Sequence, residues 1–451
     1  MKKLVLYSSN SKKRSQDSAC RVYPGWGKQW DMAAEHYPEY EITLVVQLNG
    51  RYFLDIEEGK MITPPSRIKV LPMDMEAKAG DFVKAIVALK PDVVVAMPGP
   101  VSGYDWNGIR DAVIAEELRK QGYEVECYSV ETALDCFDKW RTYSVLKANG
   151  FKTPETLYIH HEMFVTKKFA DSSTGNVYKE YILNEIRSMP MPVVIKATTG
   201  ASSIGIYIAH TYEEARTYLE SDDFDEDAIV QQMLKGEEYG AEVHGSGGQY
   251  YVTPPFRIFN TAKAALNDPV GSTTLKYGPV TDEDHHPKEF MAELKRMAEV
   301  MGFSGIMEVD FFYVDGQWYV LEVNNRWSGL TSLTTASQGR LPYEVYINEV
   351  TGSSVDYNDI SNLSFACQFK MNTVDPAVLE KISSEESVKS IISYELRMPG
   401  KEKSYLIDTV IGGYKSLSEL ICGFERLQQK YPDEILEGLV YGLRDDINRS
   451  I

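Results

Sequence analysis

Cysteine is scarce in this chain. Only five cysteines occur among its 451 residues, at positions 20, 127, 136, 367 and 422. Their number is odd and no two form a C-x-x-C pair, so the sequence indicates neither a disulfide framework nor a cysteine-rich metal site. Scattered thiols of this kind are typical of a reducing compartment, and we therefore expect a cytoplasmic protein.

Long apolar runs are also missing. A membrane-spanning helix needs roughly 20 consecutive apolar residues, and no stretch of this chain approaches that length. The short apolar run in MKKLVLYSS is too brief for a secretory signal and is typical of a first β-strand. The sequence therefore predicts no membrane partner.

Basic residues are outnumbered by acidic ones. The chain has 47 Lys and Arg against 66 Asp and Glu, which gives a formal net charge of −19. A surface this acidic repels polyanions and argues against nucleic acid as a partner. The apolar content of 43% and charged content of 25% are ordinary for a globular protein, and the length suffices for two or three domains.

No G-x-G-x-x-G fingerprint follows the first predicted strand, so a dinucleotide-binding domain is not indicated. Instead, apolar strand-like runs alternate with helical patterns over residues 1–130; PDVVVAMPG, for example, precedes WNGIRDAVIAEELRKQG. This alternation predicts an N-terminal domain with a parallel, Rossmann-like α/β sheet. The last hundred residues, 351–451, change to an α+β pattern.

The middle of the chain has a different pattern. Residues 134–154 predict one helix that ends at the Asn-Gly pair before a proline. Residues 192–260 predict antiparallel strands, with hairpin turns at KGEE and GSGG and a helix in TYEEARTYLES. Residues 261–285 lack periodicity and are predicted to be a long mobile loop. Near its end, His285 and His286 are interpreted as solvated, with a substrate-contacting or general-base role as the alternative.

Polar side chains recur at the end of a predicted hairpin formed by GIMEVDFFYV and QWYVLEVNN. Strand alternation places Glu322 and Asn324 on one face, and Glu308 lies on the neighbouring strand. Carboxylate and amide oxygens suit Mg²⁺, which takes few protein ligands and completes its shell with phosphate and water. Arg326 extends this face and could bind a phosphate or carboxylate through two hydrogen bonds. The alternative is a polar stripe on an exposed hairpin.

A second candidate site lies in VVIKATTGASSIGIYIA, residues 193–209. Lys196 follows an apolar strand, and the loop ATTGASSIG has small side chains whose hydroxyl and backbone N–H groups could surround phosphate oxygens. The loop lacks the G-x-x-x-x-G-K-[ST] pattern and is not a Walker loop. A flexible hairpin connection is the alternative interpretation.

These segments together resemble the ATP-grasp superfamily of ligases. FDKWR, VVIKATTGASSIGI, VQQMLKGEEYGAEV and MEVDFF…YVLEVNNR occur in the order typical of that family. The loop is similar to that of D-alanine–D-alanine ligases. The E-x-N-x-R ending is similar to that of L-amino-acid ligases, biotin carboxylases and carbamoyl-phosphate synthetases. The resemblance implies an ATP-grasp fold over residues 131–350, preceded by the domain at 1–130 and followed by the α+β region at 351–451. Within it, residues 131–230 would form a small subdomain and 231–350 a large one.

The resemblance also implies roles for individual residues. ATP would be held by phosphate-binding residues (Lys139, Lys196, Ser202, Ser203), an adenine segment (Gln231, Gln232, Met233, Leu234) and a ribose acid (Glu238). Mg²⁺, or Mn²⁺ in its place, would be held by Glu308, Glu322 and Asn324, with Asp310 as a less favoured alternative to Glu308. Arg326, Lys196 and Ser203 would take part in phosphoryl transfer.

Two positions depart from the family pattern. Gln231 stands where an acid is common on the adenine side. D-alanine–D-alanine ligases have an arginine just before their first metal acid, and this chain has none; Arg326 or Arg257 could replace it. These departures argue against D-alanine–D-alanine ligase itself.

The implied function is an ATP-dependent carboxylate–amine ligase, and more closely an amino acid or peptide ligase, that joins small molecules through an acyl phosphate. Residues 197–205 and 261–285 would act as lids that exclude water. An enzyme of the carboxylase or carbamoyl-phosphate type that uses bicarbonate is one alternative. A nucleotide-binding protein without catalysis is another. A homodimer would fit the family.

Overall fold

The structure is a computed structural model that describes residues 1–9, 20–47, 53–57, 60–99, 107–167, 173–199, 206–260, 274–351, 362–373, 375–396 and 404–450. Two sequence predictions therefore fall largely outside the described residues. They are the small-residue loop with Ser202 and Ser203, and the first part of the predicted lid, residues 261–273.

The described residues form 21 strands and 14 α-helices, here numbered in chain order. The strands are β1 (Lys2–Ser8), β2 (Cys20–Tyr23), β3 (Tyr40–Gln47), β4 (Ile56–Glu57), β5 (Lys60–Met61), β6 (Lys69–Met73), β7 (Val93–Ala96), β8 (Val125–Glu126), β9 (Thr156–Ile159), β10 (Val193–Ala197), β11 (Tyr207–Ala209), β12 (Ala228–Gln232), β13 (Glu237–Ser246), β14 (Gln249–Val252), β15 (Phe256–Asn260), β16 (Thr274–Gly278), β17 (Gly305–Val314), β18 (Gln317–Asn324), β19 (Phe365–Lys370), β20 (Val388–Leu396) and β21 (Ser404–Tyr414). The helices are α1 (Trp26–His36), α2 (Ala79–Leu89), α3 (Asn107–Lys120), α4 (Val130–Phe137), α5 (Lys139–Ala148), α6 (His161–Val165), α7 (Val177–Ser188), α8 (Tyr212–Leu219), α9 (Pro287–Val300), α10 (Thr331–Ser337), α11 (Glu344–Thr351), α12 (Pro376–Ser383), α13 (Leu417–Lys430) and α14 (Glu437–Ser450).

The first sheet is parallel, as the sequence predicts. Its strand order is β6-β3-β1-β7-β8, and every neighbouring pair is parallel. The central strand β1 is buried on both faces over Leu4–Ser8. A strand that is apolar on both faces is stable only when helices cover both sides of its sheet, which the alternating helices of this region provide.

The second sheet is small and antiparallel, with the order β11-β10-β12-β9. One face carries a core in which Ile195 and Val230 pack beneath α7 and α8. Because side chains alternate along a strand, Lys196 lies on the opposite, core-free face of β10. That face also carries Gln231, since Val194 pairs with Gln231 across the sheet.

The third sheet has 12 strands among the described residues, in the order β18-β17-β13-β15-β16-β19-β21-β20-β2-β4-β5, with β14 paired to β13. It joins segments that are far apart in the chain. β2 pairs antiparallel with β20, so part of the N-terminal region belongs to this sheet and not to the parallel one. The C-terminal strands β19–β21 extend the sheet that carries the hairpin, and α12–α14 confirm the predicted α+β pattern there.

Four local predictions are wrong. The helix predicted over 134–154 is two helices, because Asp138 adopts extended backbone angles and caps the second one. KGEE is no hairpin turn, since β12 and β13 belong to different sheets. The strand predicted at QYYVTPPFRIF is interrupted between β14 and β15. Residues 274–278 of the predicted mobile loop form β16, which pairs with β15 and β19.

No helix among the described residues is long and apolar enough to cross a membrane.

Candidate functional site

The β17–β18 hairpin places four polar side chains on one face. Its turn contains Asp315 and Gly316, both at positive φ, as a tight two-residue hairpin requires. Across the two strands, Glu308 pairs with Asn324 and Asp310 pairs with Glu322. Directly opposite residues share a face of the sheet, so the three carboxylates and the amide form one stripe, here called the acidic stripe.

The acidic stripe continues onto the neighbouring strand. Glu308 pairs with Glu242 of β13 and Asp310 pairs with Gly240, which places Glu238, two residues earlier, on the same face. Burial, together with the negative charges of Glu308, Glu322 and Glu238, raises the pKa of Asp310 well above its ordinary value. Burial raises the pKa of Glu308 as well. Nearby cations stabilise the ionised form of carboxylates that are crowded together in this way.

Lys139 is brought to this stripe by the start of α5. The Asp138 side chain accepts hydrogen bonds from the N–H groups of Trp140 and Arg141, at 2.8 and 3.0 Å, and so begins the helix at Lys139. The Lys139 N–H donates to the Thr198 carbonyl at 2.8 Å, two residues beyond Lys196. This bond joins the two segments that carry the predicted phosphate-binding lysines.

Both lysines lie at the same carboxylate. Lys139 Nζ is 3.9 Å from Glu322 Oε1. Burial and the nearby charge of Lys139 lower the pKa of Lys196, while Glu322 and Asp310 oppose that shift. Burial alone would raise the pKa of Glu322, but Lys139, Lys196 and Arg326 outweigh it and hold the pKa below its ordinary value. The two lysines, the arginine and the acidic stripe therefore form one site.

Arg326 follows β18 directly. Its Nη2 donates to Asn324 Oδ1 at 3.3 Å. Arg257, the alternative arginine, points elsewhere: it pairs with Tyr239, on the sheet face away from the acidic stripe. Its Nη2 donates to Asp446 Oδ1 of α14 at 3.1 Å, and Nη1 donates to the Glu238 carbonyl. The structure therefore places only Arg326, of these two, at the stripe.

The predicted adenine segment lies at the end of β12. Gln231 is buried, and its Nε2 donates to Thr156 Oγ1 at 3.0 Å. Gln232 N–H donates to the Glu155 carbonyl and Met233 N–H to the Pro192 carbonyl. Thr156 Oγ1 donates its own proton to the Pro154 carbonyl at 2.9 Å, so it accepts from the glutamine amide, a contact that an ionised acid at position 231 could not make.

Two residues near the site were missed by the sequence predictions. Lys276 lies in β16, inside the segment predicted as a mobile loop, and its charge lowers the pKa of Glu238 and Glu308 against the effect of burial. Glu242 was missed because nothing in GAEVHG distinguishes a buried carboxylate from an exposed one. A β-branched or aromatic alternation around 274–278 could have indicated the strand, but TLKYG is too short for that signal.

Glu242 is fully buried and accepts four hydrogen bonds. The donors are Ser328 Oγ at 3.1 Å, Thr331 Oγ1 at 2.6 Å, Thr334 Oγ1 at 2.7 Å and His244 Nε2 at 3.0 Å. Burial raises its pKa, but these donors and the charge of His244 leave it below the ordinary value. Glu242 therefore holds the segment after Arg326, and the start of α10, against the sheet.

We expect Glu242→Gln to lower stability by about 2–3 kcal/mol, because its amide NH₂ would face donors and leave them unsatisfied. The melting temperature of Glu242→Gln is compared with that of a control variant, Glu289→Gln, which changes an exposed glutamate on α9. Equal melting temperatures for the two variants would contradict the role assigned to Glu242.

His285 is buried and lies away from the acidic stripe. Its Nε2 is 2.8 Å from Tyr239 Oη, and its Nδ1 is 2.5 Å from Asp282 Oδ1. The interpretation of His285 as solvated is wrong, because Tyr239, Trp318 and Tyr313 surround its ring; His286 is exposed.

The structure predicts a pH-dependent stability for this histidine. Burial lowers the pKa of His285, but Glu237 and Asp282 outweigh it and raise the pKa above 6.5. The charged form therefore stabilises the fold at pH below about 6.5, and that contribution is lost as the pH rises through the raised pKa. We expect wild type to melt at a higher temperature than His285→Gln at pH 6. This difference in melting temperature should become smaller as the pH rises to 9. A constant difference would contradict the ion pair.

The acidic stripe supplies part of the ligand set that a metal ion needs. Among the described residues no group of three His, Cys, Asp or Glu side chains is arranged to hold a metal by itself. Mg²⁺ commonly takes one or two carboxylates and completes its shell with phosphate oxygens and water. The acidic stripe supplies oxygen ligands only and concentrates negative charge, so its residues fit Mg²⁺ or Mn²⁺ bound together with a nucleotide.

Lys196 of β10 and Lys139 at the start of α5 meet the acidic stripe of another sheet, an arrangement that suits metal-assisted binding of phosphate. Residues 136–330 match the family model described as an ATP-grasp domain, so this part of the chain is an ATP-grasp domain. ATP and Mg²⁺ are the cofactors of ATP-grasp enzymes.

The relatives found by sequence comparison have low sequence identity to this chain. The chain is 25% identical to carbamoyl-phosphate synthase of Methanobrevibacter smithii over 286 residues, which cover 63% of this chain and 69% of that protein. It is 28% identical to D-alanine–D-alanine ligase of Desulforamulus reducens over 192 residues, which cover 42% of this chain and 58% of that one.

Among solved structures, L-amino acid ligase from Bacillus licheniformis is similar over nearly the whole chain. The TM-score is 0.62 at 16% identity, and the match covers 95% of this chain and 97% of the other. Identity this low shows the shared fold alone. It confirms an ATP-grasp fold with preceding and following regions; the domain boundaries stay a prediction.

Proposed function

We propose that this protein is an ATP-dependent ligase that joins the carboxyl group of one small molecule to the amine of another. The observation that carries the proposal is the convergence of Lys139 and Lys196 on Glu322, with Lys139 Nζ 3.9 Å from its carboxylate. Cations and metal-binding acids around one point suit a transferring phosphoryl group. The resemblance to an L-amino acid ligase supports amino acids or peptides as substrates.

Each residue has a separate task in this proposal. Lys139 and Lys196 bind phosphate oxygens of ATP, and Arg326 binds the phosphoryl group in transfer. Gln231, Gln232 and Leu234 line adenine, and Glu238 binds the ribose hydroxyls. Bound Mg²⁺ would be held by Glu322 and Asn324 with Glu308 or Asp310, and would neutralise charge on the phosphates. Ser202 and Ser203 remain predicted as part of the closing loop.

The reaction has two balanced steps. A carboxylate oxygen of the first substrate attacks the γ-phosphorus, and the bond to ADP breaks, which leaves an acyl phosphate. The amine of the second substrate then attacks the acyl carbon, phosphate leaves, and the nitrogen loses a proton. Phosphorylation is needed because a carboxylate has no good leaving group. The acyl phosphate reacts with water, so the site must be closed during the reaction.

The experiment is a screen of amino acids and other amines in pairs with ATP and Mg²⁺. We expect ADP and phosphate release that requires both substrates, and an amide product by mass spectrometry. ADP release with bicarbonate alone would favour a carbamoyl-phosphate type of reaction, which the similarity to carbamoyl-phosphate synthase makes the second candidate. Nucleotide binding without turnover by any pair would contradict both.

A further inference from the structure

Arg257 carries a buried charge on the face of the third sheet that is opposite the acidic stripe. Only 11% of its side chain is exposed. The strands β13 and β15 pair over three residues, and Glu238–Ile258 is the last of these pairs. Arg257 Nη1 donates to the carbonyls of both residues, at 3.0 and 2.9 Å. The guanidinium group therefore fastens the end of the ladder from which the Glu238 side chain projects.

The ionised partner of Arg257 comes from the C-terminal helix. Asp446 of α14 accepts a hydrogen bond from Arg257 Nη2 at 3.1 Å and another from Tyr277 Oη at 3.2 Å. On the same helix, Leu443 and Ile447 pack into the core that contains Tyr277. The packing of α14 against the sheet thus determines where the Asp446 carboxylate lies, and with it the guanidinium group.

A second carboxylate competes for the same guanidinium group. Glu237 Oε1 is 3.9 Å from Arg257 Nη2, whereas Asp446 Oδ1 is 3.1 Å from it. An arginine that is nine-tenths buried needs an ionised partner. Without the charge of Asp446, Glu237 would be the only carboxylate left within 4 Å of Arg257 among the described residues. We expect the guanidinium group then to shift toward Glu237 and to lose its alignment with the two carbonyls.

The Glu238 carboxylate depends on its own backbone for its position. Among the residues that the structure describes, this carboxylate takes part in no hydrogen bond and no ion pair. Burial raises its pKa, and the charges of Lys276 and Arg257 oppose that shift from a distance. Hydrogen bonds from hydroxyl groups require oxygens roughly 2.5–3.0 Å apart. A small displacement of the Glu238 backbone would therefore weaken any hydroxyl contact that its side chain makes.

We propose that Arg257 and Asp446 are positioning residues of the nucleotide site, which act by holding the backbone of Glu238. The assignment rests on the proposed function, in which Glu238 binds the ribose hydroxyls. Arg257 and Asp446 do not touch the nucleotide themselves, because they lie on the other side of the sheet. The helix α14 thus contributes to ribose binding through two successive contacts, from Asp446 to Arg257 and from Arg257 to Glu238.

The test measures how much the ribose hydroxyls contribute to binding. Wild type and Asp446→Asn are titrated calorimetrically with ADP and with 2′,3′-dideoxy-ADP in the presence of Mg²⁺. We expect wild type to bind ADP about 10-fold more tightly than the dideoxy nucleotide, as for hydrogen bonds to a charged group. In Asp446→Asn the ratio of the two dissociation constants should fall about threefold or more, the coupling typical of residues in one bonded network. The affinity for the dideoxy nucleotide should stay close to that of wild type.

A second variant and a matched control accompany Asp446→Asn. Arg257→Lys keeps the positive charge but lacks the planar fork that bonds to both carbonyls and to Asp446, so it should lower the same ratio. Asp445→Asn changes an exposed neighbour on α14 and should keep the wild-type ratio. Melting temperatures report the stability of each variant. A loss of packing alone would weaken both nucleotides equally, and that result in Asp446→Asn and Arg257→Lys would overturn the assignment.

A double variant tests whether the effect passes through Glu238. Glu238→Ala should bring the ratio of the two dissociation constants close to that of a nucleotide without ribose contacts. Glu238→Ala combined with Asp446→Asn should then bind ADP as weakly as Glu238→Ala alone. Weaker binding by the double variant, or a wild-type ratio in Asp446→Asn, would overturn the assignment.

The two proposals fail in different ways. Equal affinity of wild type for the two nucleotides, or a wild-type ratio in Glu238→Ala, would contradict the ribose role of Glu238 and the assignment with it. Neither result would contradict the ligase reaction, which is judged by product formation. A ratio that depends on Asp446, without an amide product from any substrate pair, would support the assignment and contradict the ligase reaction.

Discussion

Replacing Glu322 by alanine is expected to abolish amide formation, with kcat lower by about 10³-fold or more. The charges of both nucleotide lysines act on the Glu322 carboxylate, which faces Asp310 across the hairpin. Its loss removes a proposed metal ligand and leaves Lys139 and Lys196 to repel each other. Binding of the phosphates and stabilisation of the transferring group would both fail.

The fold should survive this change. Glu322 is only half-buried and lies close to the end of β18, where alanine keeps the backbone pairing. Circular dichroism and the melting temperature test this, and Glu213→Ala, at an exposed position of α8, is the matched control. ADP release with both substrates present is the measured activity. Undiminished product formation by Glu322→Ala would refute the metal site.

Local sequence pattern predicted the acidic stripe well. Alternation along QWYVLEVNN placed Glu322 and Asn324 on one face, and the Asp-Gly turn fixed the partner strand, so hairpin geometry followed from neighbouring residues alone. The meeting of Lys139 and Lys196 with that hairpin did not follow from local pattern. It depends on the bond between Lys139 N–H and the Thr198 carbonyl, which spans 59 positions of the chain, and only the family resemblance indicated it.

The missed residues have a common physical reason. Lys276 becomes part of the site because β16 pairs with β15 and with β19, and β19 lies about 90 residues further along the chain. Glu242 is buried because the start of α10 folds over it with three hydroxyl donors. Contacts between segments that are distant in the chain determine where Lys276 and Glu242 lie. These contacts cannot be predicted from a short stretch of sequence.

The C-terminal region gains a structural role from the same pairing. Because β19 extends the sheet beyond β16, the strand that carries Lys276 is central in the sheet and not at its edge. A central strand has both rows of backbone groups paired, so its side chains are held more firmly than those of an edge strand. The C-terminal region therefore supports the strand that carries Lys276.

Asp310→Asn is expected to reduce kcat by about 10²- to 10³-fold, and Glu308→Gln by a clearly smaller factor. The sequence favoured Glu308 as the first metal ligand, whereas the strand register favours Asp310. Asp310 lies directly opposite Glu322, so a cation could contact both carboxylates. Glu308 lies opposite Asn324, whose Nδ2 is already 3.3 Å from Glu308 Oε2.

Measurements of thermal stability distinguish a metal-binding role of Asp310 from a structural role. Without nucleotide and metal, the three carboxylates of the acidic stripe repel one another, so the neutral asparagine should leave the melting temperature equal to that of wild type or raise it. With Mg²⁺ and ATP, wild type should gain more thermal stability than Asp310→Asn, because bound ligands stabilise the folded state. The measurements are kcat, the Mg²⁺ concentration for half-maximal activity, and melting temperatures with and without Mg²⁺ and ATP. If Glu308→Gln lost more kcat than Asp310→Asn, and Asp310→Asn kept the wild-type Mg²⁺ dependence, Glu308 would be the first metal ligand.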